Sequence, residues 1–432
     1  AKKIKSDGEI PPWYEISKQG NLKFLPGVLA DYLADNENVI YCADSYYIYE
    51  NGVYNIRNEK TAQRKIRSFM NSRYALAADI RDAEFQWQIM IDKTTREINV
   101  NPYLLNFENG LYNLQTDELH PHDPKILSTI RLGGKYDPAA ECPVFQKYLR
   151  DVLPESEIPL IQEMLGYFLV PINKAQKSFV MVGKPNSGKS TLLYVVQDLL
   201  LRHENVSNLT WQELDEKFAT VQLFGKLANI FADLPTRDIR ETGTYKAISG
   251  EDYISAQHKF KEYFSFKPFV RLLFSCNNIP KNYSDRSDGF YRRLMLIRFD
   301  HTISEDKKDS NLKEKLMSEK DGIIAWAMVG LKRLHERNWK FIETERTLAE
   351  LASYKAENSS TLAFVEECCT LDIDSEVLRE ELYNAYHEYC STAGSKPVSQ
   401  KRFNSELEGV SGVSRSRDAV TRRMIWRGIR VL

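Results

Sequence analysis

An α/β fold built on a buried parallel sheet is what this sequence predicts, and three observations predict it. First, Phe179-Val180-Met181-Val182 is a wholly apolar run, as expected of a strand covered on both faces. Second, Gly183-Lys184-Pro185-Asn186-Ser187-Gly188-Lys189-Ser190 follows it and fits G-x-x-x-x-G-K-[ST] at every fixed position. Third, Thr191-Leu192-Leu193-Tyr194-Val195-Val196 then reads as a helix. Strand, glycine loop and helix therefore occur in the order such a loop needs. The predicted whole is a phosphate-loop core with a parallel sheet. A small α/β domain and a helical bundle precede it, and a winged-helix-like C-terminal domain follows.

The elements follow in order. Residues 1–21 are polar, carry Pro11-Pro12, and read as a flexible lead-in. A chain opening Ala1-Lys2-Lys3 rather than with Met is expected to be a processed product or a piece of something longer. Residues 22–141 read as an N-terminal α/β accessory domain. Within it, Glu50-Asn51-Gly52-Val53-Tyr54-Asn55-Ile56 and Glu108-Asn109-Gly110-Leu111-Tyr112-Asn113-Leu114 nearly repeat each other. Asn-Gly between apolar, aromatic flanks signals a hairpin, because both turn residues accept positive φ. Shared turn chemistry, rather than a duplicated unit, explains the likeness. Residues 142–177 turn helical, with Leu160, Ile161, Met164, Leu165 and Phe168 at helical spacing. The core spans 178–305. A second helical segment, 306–359, places Ile323, Ala327, Gly330, Leu331 and Leu334 on one face and continues in a helix over 344–355. In 360–432 the spacing predicts helices over 375–390 and 399–407. Ile425-Trp426 and the run 429–432 then lie among arginines, as a basic wing would.

The 432 residues are 42% hydrophobic and 28% charged, the balance of a soluble globular chain of two to four domains. A net charge of −1 gives no global attraction to nucleic acid, so any such binding must rest on local patches. The six cysteines, Cys42, Cys142, Cys276, Cys368, Cys369 and Cys390, form no C-x-x-C pair and read as reduced intracellular thiols. No apolar run approaches the roughly 18 residues that span a bilayer, which points to a cytoplasmic protein without membrane partners.

The loop carries specific chemistry. Its glycines let backbone N–H groups curl around phosphates, and the following helix adds its positive dipole end. Residues Gly183, Lys184, Pro185, Asn186, Ser187, Gly188, Lys189, Ser190 and Thr191 are therefore expected to hold a nucleoside triphosphate. Lys189 would reach the β- and γ-phosphates, and Ser190 would hold Mg²⁺. Hydrolysis needs three further groups. Leu227-Ala228-Asn229-Ile230-Phe231-Ala232 leads to Asp233, which would hold the Mg²⁺ through water and help orient the attacking water. Leu272-Leu273-Phe274-Ser275-Cys276 leads to Asn277, whose amide would sense the γ-phosphate or place that water. Arg292 and Arg293 precede the apolar run 294–297, and one of them would reach a neighbouring subunit as an arginine finger. Lys189 to Asp233 and Asp233 to Asn277 are each 44 residues, and Asn277 to Arg292 is 15, a compact hydrolase core. Between them, the stretch 249–263 holds His258-Lys259-Phe260-Lys261. Lysines neutralise phosphates and an aromatic stacks on a base, so this reads as a DNA-gripping hairpin formed by His258, Lys259 and Lys261 around Phe260.

These motifs, in this order, resemble the superfamily III helicases of the AAA+ class, in particular the helicase portion of phage and plasmid primase-helicases. The resemblance covers about 106–300. It rests on the loop at 183–190, the run ending in Asp233, the hairpin motif 246–261, and Asn277-Asn278-Ile279-Pro280 followed by Gly289-Phe290-Tyr291-Arg292-Arg293. It implies a hexameric ring that hydrolyses ATP with Mg²⁺ at subunit interfaces and threads single-stranded DNA, usually moving 3′ to 5′. It also implies forked DNA as a substrate, a primase, polymerase or loader as a partner, and a bacterial host cell. Two features depart from the family or qualify it. Ala232 stands where many members carry a second acid beside Asp233, and no primase signature of paired acids or a zinc ribbon is present. Residues 410–432 carry six arginines (Arg415, Arg417, Arg422, Arg423, Arg427, Arg430) against Asp418, a plausible phosphate-binding wing. Two readings of other classes compete with a replicative helicase: an origin-binding initiator in which ATP switches assembly, and a nucleic-acid packaging motor. The hairpin lysines favour a translocator over a switch.

Overall fold

The computed structural model describes residues 10–71, 75–282, 285, 287–304, 308–393, 397–418 and 421–432. The expected lead-in lies outside them as far as residue 9. From there on it is no lead-in. Tyr14–Ile16 forms β1, which pairs antiparallel with β2 (Leu22–Phe24). Trp13 and Tyr14 are buried, and Trp13 Nε1 donates to Phe69 O at 3.1 Å. Two large aromatic rings next to Pro11-Pro12 outweigh the polar composition. The first packing unit continues with α1 (Pro26–Asn36), the meander β3 (Val39–Cys42), β4 (Ser45–Glu50) and β5 (Val53–Arg57), then α2 (Glu59–Phe69) and α3 (Ala77–Ile91). Leu29, Leu33, Ile66 and Trp87 share its core.

The two Asn-Gly hairpins differ. Asn51 and Gly52 form the turn between β4 and β5, both at positive φ as predicted. In the second, β6 (Leu104–Phe107) pairs with β7 (Gly110–Asn113) so that Phe107 faces Gly110, and the turn residues are Glu108 and Asn109. The turn moves because Asn109 is committed elsewhere: its side chain exchanges two hydrogen bonds with the Tyr136 backbone, at 2.9 and 3.0 Å. Gly110 is required for a different reason, since a Cβ there would stand 2.4 Å from His120 O in β8 (Glu118–His120). This sheet does not share the first unit's core. Leu105, Phe107 and Tyr112 pack in the same cluster as Phe145 and Leu331, so 22–141 divides between two packing units.

Two helices, α4 (Pro143–Val152) and α5 (Ile158–Phe168), separated at Pro154, lead into the central sheet. Its strands are β9 (Ser178–Gly183), β10 (Val206–Ser207), β11 (Ala228–Phe231), β14 (Arg271–Cys276) and β15 (Leu294–Phe299), in spatial order β10-β11-β14-β9-β15 and all parallel. The chain leaves β9 for the β10 side and returns to β15 on the other, so the loop after β9 opens at the switch point where ligand crevices form. Every residue of β9 is buried. Between β9 and β10 comes α6 (Lys189–Tyr194), which runs on as a π-helical turn over Val195–Leu200. Between β11 and β14 stand α7 (Gly243–Gly250) and the hairpin of β12 (Ile254–Gln257) and β13 (Tyr263–Phe266). Between β14 and β15 stands α8 (Asp288–Tyr291).

The expected boundary at residue 305 lies outside the described residues. Beyond it come α9 (Leu312–Ser318), α10 (Lys320–Glu336) and α11 (Glu345–Glu357). The α5 and α10 backbones approach closely at two glycines: a Cβ on Gly166 would lie 2.5 Å from Ala327 O, and one on Gly330 would lie 2.2 Å from Gln162 O. Fully buried Glu163 completes the crossing, accepting from Arg333 Nε at 2.9 Å, Arg337 Nη1 at 3.2 Å and Ile342 N at 2.8 Å. The last unit holds α12 (Ser360–Cys368), β16 (Cys369–Thr370), β17 (Glu376–Leu378), α13 (Arg379–Thr392), α14 (Gln400–Glu408), β18 (Ser414–Arg417), β19 (Met424–Arg427) and β20 (Arg430–Val431). Its core stacks Tyr386 on Phe403 at 4.5 Å and buries Trp426.

Candidate active site

Three strand ends place the site. In register, Val182 of β9 faces Cys276 of β14, and Phe274 faces Phe231 of β11. Residue 183 onward, Asp233 and Asn277 therefore leave the sheet at the same carboxyl edge. They line one cleft of about 1490 Å³, together with Ser190 and Thr191. Among the expected hydrolysis residues, Lys189, Asp233 and Asn277 come together here, while Arg292 and Arg293 lie elsewhere.

The loop's shape follows from its residues. Gly188 takes φ +95°, which an L side chain rarely adopts, and a Cβ there would also stand 2.7 Å from Val152 Cγ1. Asn186 is likewise left-handed, at φ +61°. Gly183 needs no such φ but lies against β15, where a Cβ would meet Phe299 O at 2.3 Å. Neighbouring elements brace the loop. Tyr148 Oη of α4 donates to Gly188 O at 2.8 Å, and Ile303 N donates to Asn186 O at 2.9 Å. The Lys189 ammonium is buried and donates to Gly183 O, to Lys184 O at 2.9 Å and to Ser187 Oγ at 3.3 Å. Burial pulls its pKa below the usual lysine value, against the opposing pull of Cys276 and Asp233. The Cys276 thiol is pushed up to about 12, chiefly by burial. Ser190 is exposed at the start of α6, and Asp233 is exposed at φ +62°, its loop pinned by Leu234 N donating to Ser275 O at 2.8 Å.

Ser190 and Asp233 offer hard oxygen donors to one cleft, which suits Mg²⁺, an ion held by one or two protein oxygens plus phosphates and water. Sequence reasoning missed four cationic side chains, Lys147, Lys308, Lys313 and Lys315, which line the same cleft. Lys313 lies over the Tyr194 ring at 5.0 Å, and Lys315 pairs with Asp309 at 2.6 Å. The lysines of 308–315 were the available signal. For Tyr148, 40 residues from Gly188, there was none.

The two arginines separate by burial. Arg292 is exposed. Arg293 is buried, its Nη1 donates to Gly289 O at 2.5 Å, and its carbonyl accepts from Ser178 N at 2.7 Å. Burial and then neighbouring Arg292 pull the Arg293 guanidinium below its usual value. The hairpin forms where expected. Phe260 stands at its tip, 91% exposed and at φ +67°, with Lys259 over its ring at 5.1 Å. His258 stacks on Phe264 at 6.1 Å. Lys261 lies 3.8 Å from Asp44 of the first unit, and Arg96 stands over Tyr253 at 5.5 Å. All six cysteines are free, and among the described residues no helix is long and apolar enough to cross a membrane.

The sheet, loop and cleft define a phosphate-loop core of the α/β class. Comparison with known proteins narrows this. Residues 27–154 match the family model "D5 N terminal like", 181–293 match a family of unknown function (DUF5906), and 356–416 match "Poxvirus D5 protein-like". A helicase-named protein of Acanthamoeba polyphaga mimivirus is 28% identical over 236 residues, 52% of this chain and 24% of that protein. A helicase-named protein of Frog virus 3 (isolate Goorha) is 24% identical over 165 residues, 34% of this chain and 17% of that protein. The chain thus spans a quarter or less of these relatives. Apo structures of the NrS-1 C-terminal region share the fold, one with TM-score 0.54 at 13% identity over 94% of this chain and 100% of that one, another with TM-score 0.56 at 14% identity over 94% and 99%. With D5-type segments at both ends and the phosphate loop between them, the chain is similar to the superfamily III primase-helicases.

Proposed function

We propose that this chain is the motor of an ATP-dependent DNA helicase that replicates a mobile element, working as a hexameric ring on single-stranded DNA and moving 3′ to 5′. One observation carries the reading. A phosphate-loop cleft sits in the same α/β body as a hairpin that exposes Phe260 beside Lys259 and Lys261. The first supplies energy, and the second supplies a stacking and phosphate-gripping contact for its use.

In this reading the residues of 183–191 cradle the triphosphate. Lys189, now bound to loop oxygens, exchanges them for β- and γ-phosphate oxygens. Ser190 and Asp233 would hold Mg²⁺, which would supply positive charge against that developing on the phosphates. Asn277 and Asp233 orient the attacking water. The cleft is open to solvent on one side, where a neighbouring subunit would complete it. Arg292 is the residue we assign to reach that neighbour, because Arg293 is buried and bonded within its own turn. We place the protein in the host cytoplasm, acting with forked DNA and with a primase, polymerase or loader. The relatives above are viral and named for an amoeba and a frog, so the expected bacterial host is not carried over.

Strand displacement on forks bearing only a 3′ or only a 5′ tail, with ATP and at two salt concentrations, tests the reading. Unwinding of the 3′-tailed fork alone supports it, and no displacement on either fork sinks it. One observation favours the ATP-switched initiator as a second reading. Arg417, Arg422 and Arg423 of the last unit have no ion-pair partner among the described residues, which suits duplex phosphates. For that reading, ATP-dependent assembly on duplex DNA without displacement is the expected result.

A further inference from the structure

Two contacts join the element that carries Arg292 to the element that carries the hairpin. α7 runs through residues 251–253 straight into β12. Asp285 and Ser287 precede α8, and Arg292 is the residue after α8. The Asp285 carboxylate bridges these parts. It accepts from Lys246 Nζ at 2.8 Å and Thr242 Oγ1 at 2.6 Å on the α7 side, and from Ser287 N at 3.0 Å and Ser287 Oγ at 2.6 Å on the α8 side. Burial opposes its ionisation, yet the bonds from Lys246, Ser287 and Thr242 outweigh that and hold the carboxyl well below the usual carboxylate range. Four donors on one carboxylate make a geometrically fixed contact, unlike a surface ion pair.

The second contact is Arg293. Its guanidinium is wedged between its own turn and α7, so close that a Cβ on Gly250 would stand 3.3 Å from Nη2. Asp252, at the root of the hairpin, faces it electrostatically. Its carbonyl binds Ser178, whose hydroxyl meets Tyr245 Oη of α7 at 2.5 Å. Neither Lys246 nor Asp285 lines the cleft. Holding and hydrolysing the triphosphate therefore leaves this network unexplained.

We propose that the Lys246–Asp285 pair, backed by Arg293, is a coupling joint that makes the Arg292 turn and the DNA hairpin of one subunit move together. Hydrolysis at a subunit interface then displaces the hairpin of the subunit that supplied Arg292. Lys246 and Asp285 are positioning residues, and their role rests on the motor reading above.

The test uses the full chain with Asp285→Asn, Lys246→Met, the double variant and Lys246→Arg. ATP turnover is measured with and without a long oligothymidylate. Each neutral single variant should lose DNA stimulation of kcat by about fivefold or more. The double should lose no more than the worse single, because one joint is broken once. Lys246→Arg, which keeps the charge, should restore stimulation. Basal kcat, KM for ATP and affinity for the oligonucleotide should stay within about twofold of wild type. Full stimulation in both singles overturns the joint, as do single effects that multiply in the double. If Asp285→Asn fails to fold, Lys246→Met against Lys246→Arg decides alone. Absence of hydrolysis in the wild-type chain would instead overturn the motor reading, so the two failures are distinguishable.

Discussion

Gly188 and Lys189 share one turn and fail in different ways when replaced. Gly188→Ala forces an L residue to φ +95° and presses a methyl on Val152. Such strain costs about 1–3 kcal/mol, and it should appear as a lower urea midpoint together with weaker nucleotide binding. Lys189→Ala leaves the backbone free to keep its shape, so it should fold normally and hydrolyse ATP only at background; residual wild-type turnover would remove Lys189 from the site. The loop was legible because its residues are consecutive and each fixed position has a local reason. Choosing between Arg292 and Arg293 was not possible from sequence, since two adjacent residues of one type differ only in what the fold packs around them. If Arg292 completes a neighbour's site as proposed, mixing Arg292→Ala subunits with Asp233→Ala subunits should restore part of the hydrolysis, because each would lack a different half of that site. Mixing with Arg293→Ala subunits should not.

At the scale of elements, the β12–β13 hairpin separates two kinds of contact. Lys259→Ala should lower the slope of log affinity against log salt by about 0.7, the share of one phosphate on a single strand. Phe260→Ala should leave that slope alone yet weaken binding by about 1–3 kcal/mol, the worth of one stacked base. Equal slopes in both variants would refute this division of labour. The α7–α8 contact predicts a pH dependence. The folded-state pKa of Asp285 is depressed, so its contribution to stability is complete above the unfolded carboxylate value, about 3.9. It is lost as pH falls further toward the folded value. Asp285→Asn should therefore lower the melting temperature at neutral pH, and the gap between the two proteins should begin to narrow only as pH falls below about 4. Hairpins were the most legible elements, through Asn-Gly and alternating aromatics. The shifted turn at Glu108-Asn109 was hidden because its cause, the Tyr136 backbone held by Asn109, lies 27 residues away.

For the whole molecule, element order was legible and its partition into packing units was not. Composition changes little between residues 90 and 140, yet 104–120 buries its apolar face against α4 and α10 rather than against the first unit. Phe224 links the units from the other side. It packs against the Tyr47 and Tyr54 cluster and sets its ring edge-on to Phe264 and Phe266, at 5.2 and 5.1 Å. The same face brings Asp44 to Lys261. Asp44→Ala should free that lysine and tighten single-stranded DNA binding by no more than about fivefold, the ceiling for an exposed pair; weaker binding would mean the first unit itself holds the strand. The close crossing of α5 and α10 bears on how the molecule carries traction. Their notched backbones tie residue 166 to residue 330, and the segment that closes on itself between them contains the entire central sheet, the hairpin and every part of the cleft except its α4 wall. A pull on Phe260 would thus be taken up within a closed circuit of chain, anchored where two chain-distant helices interlock.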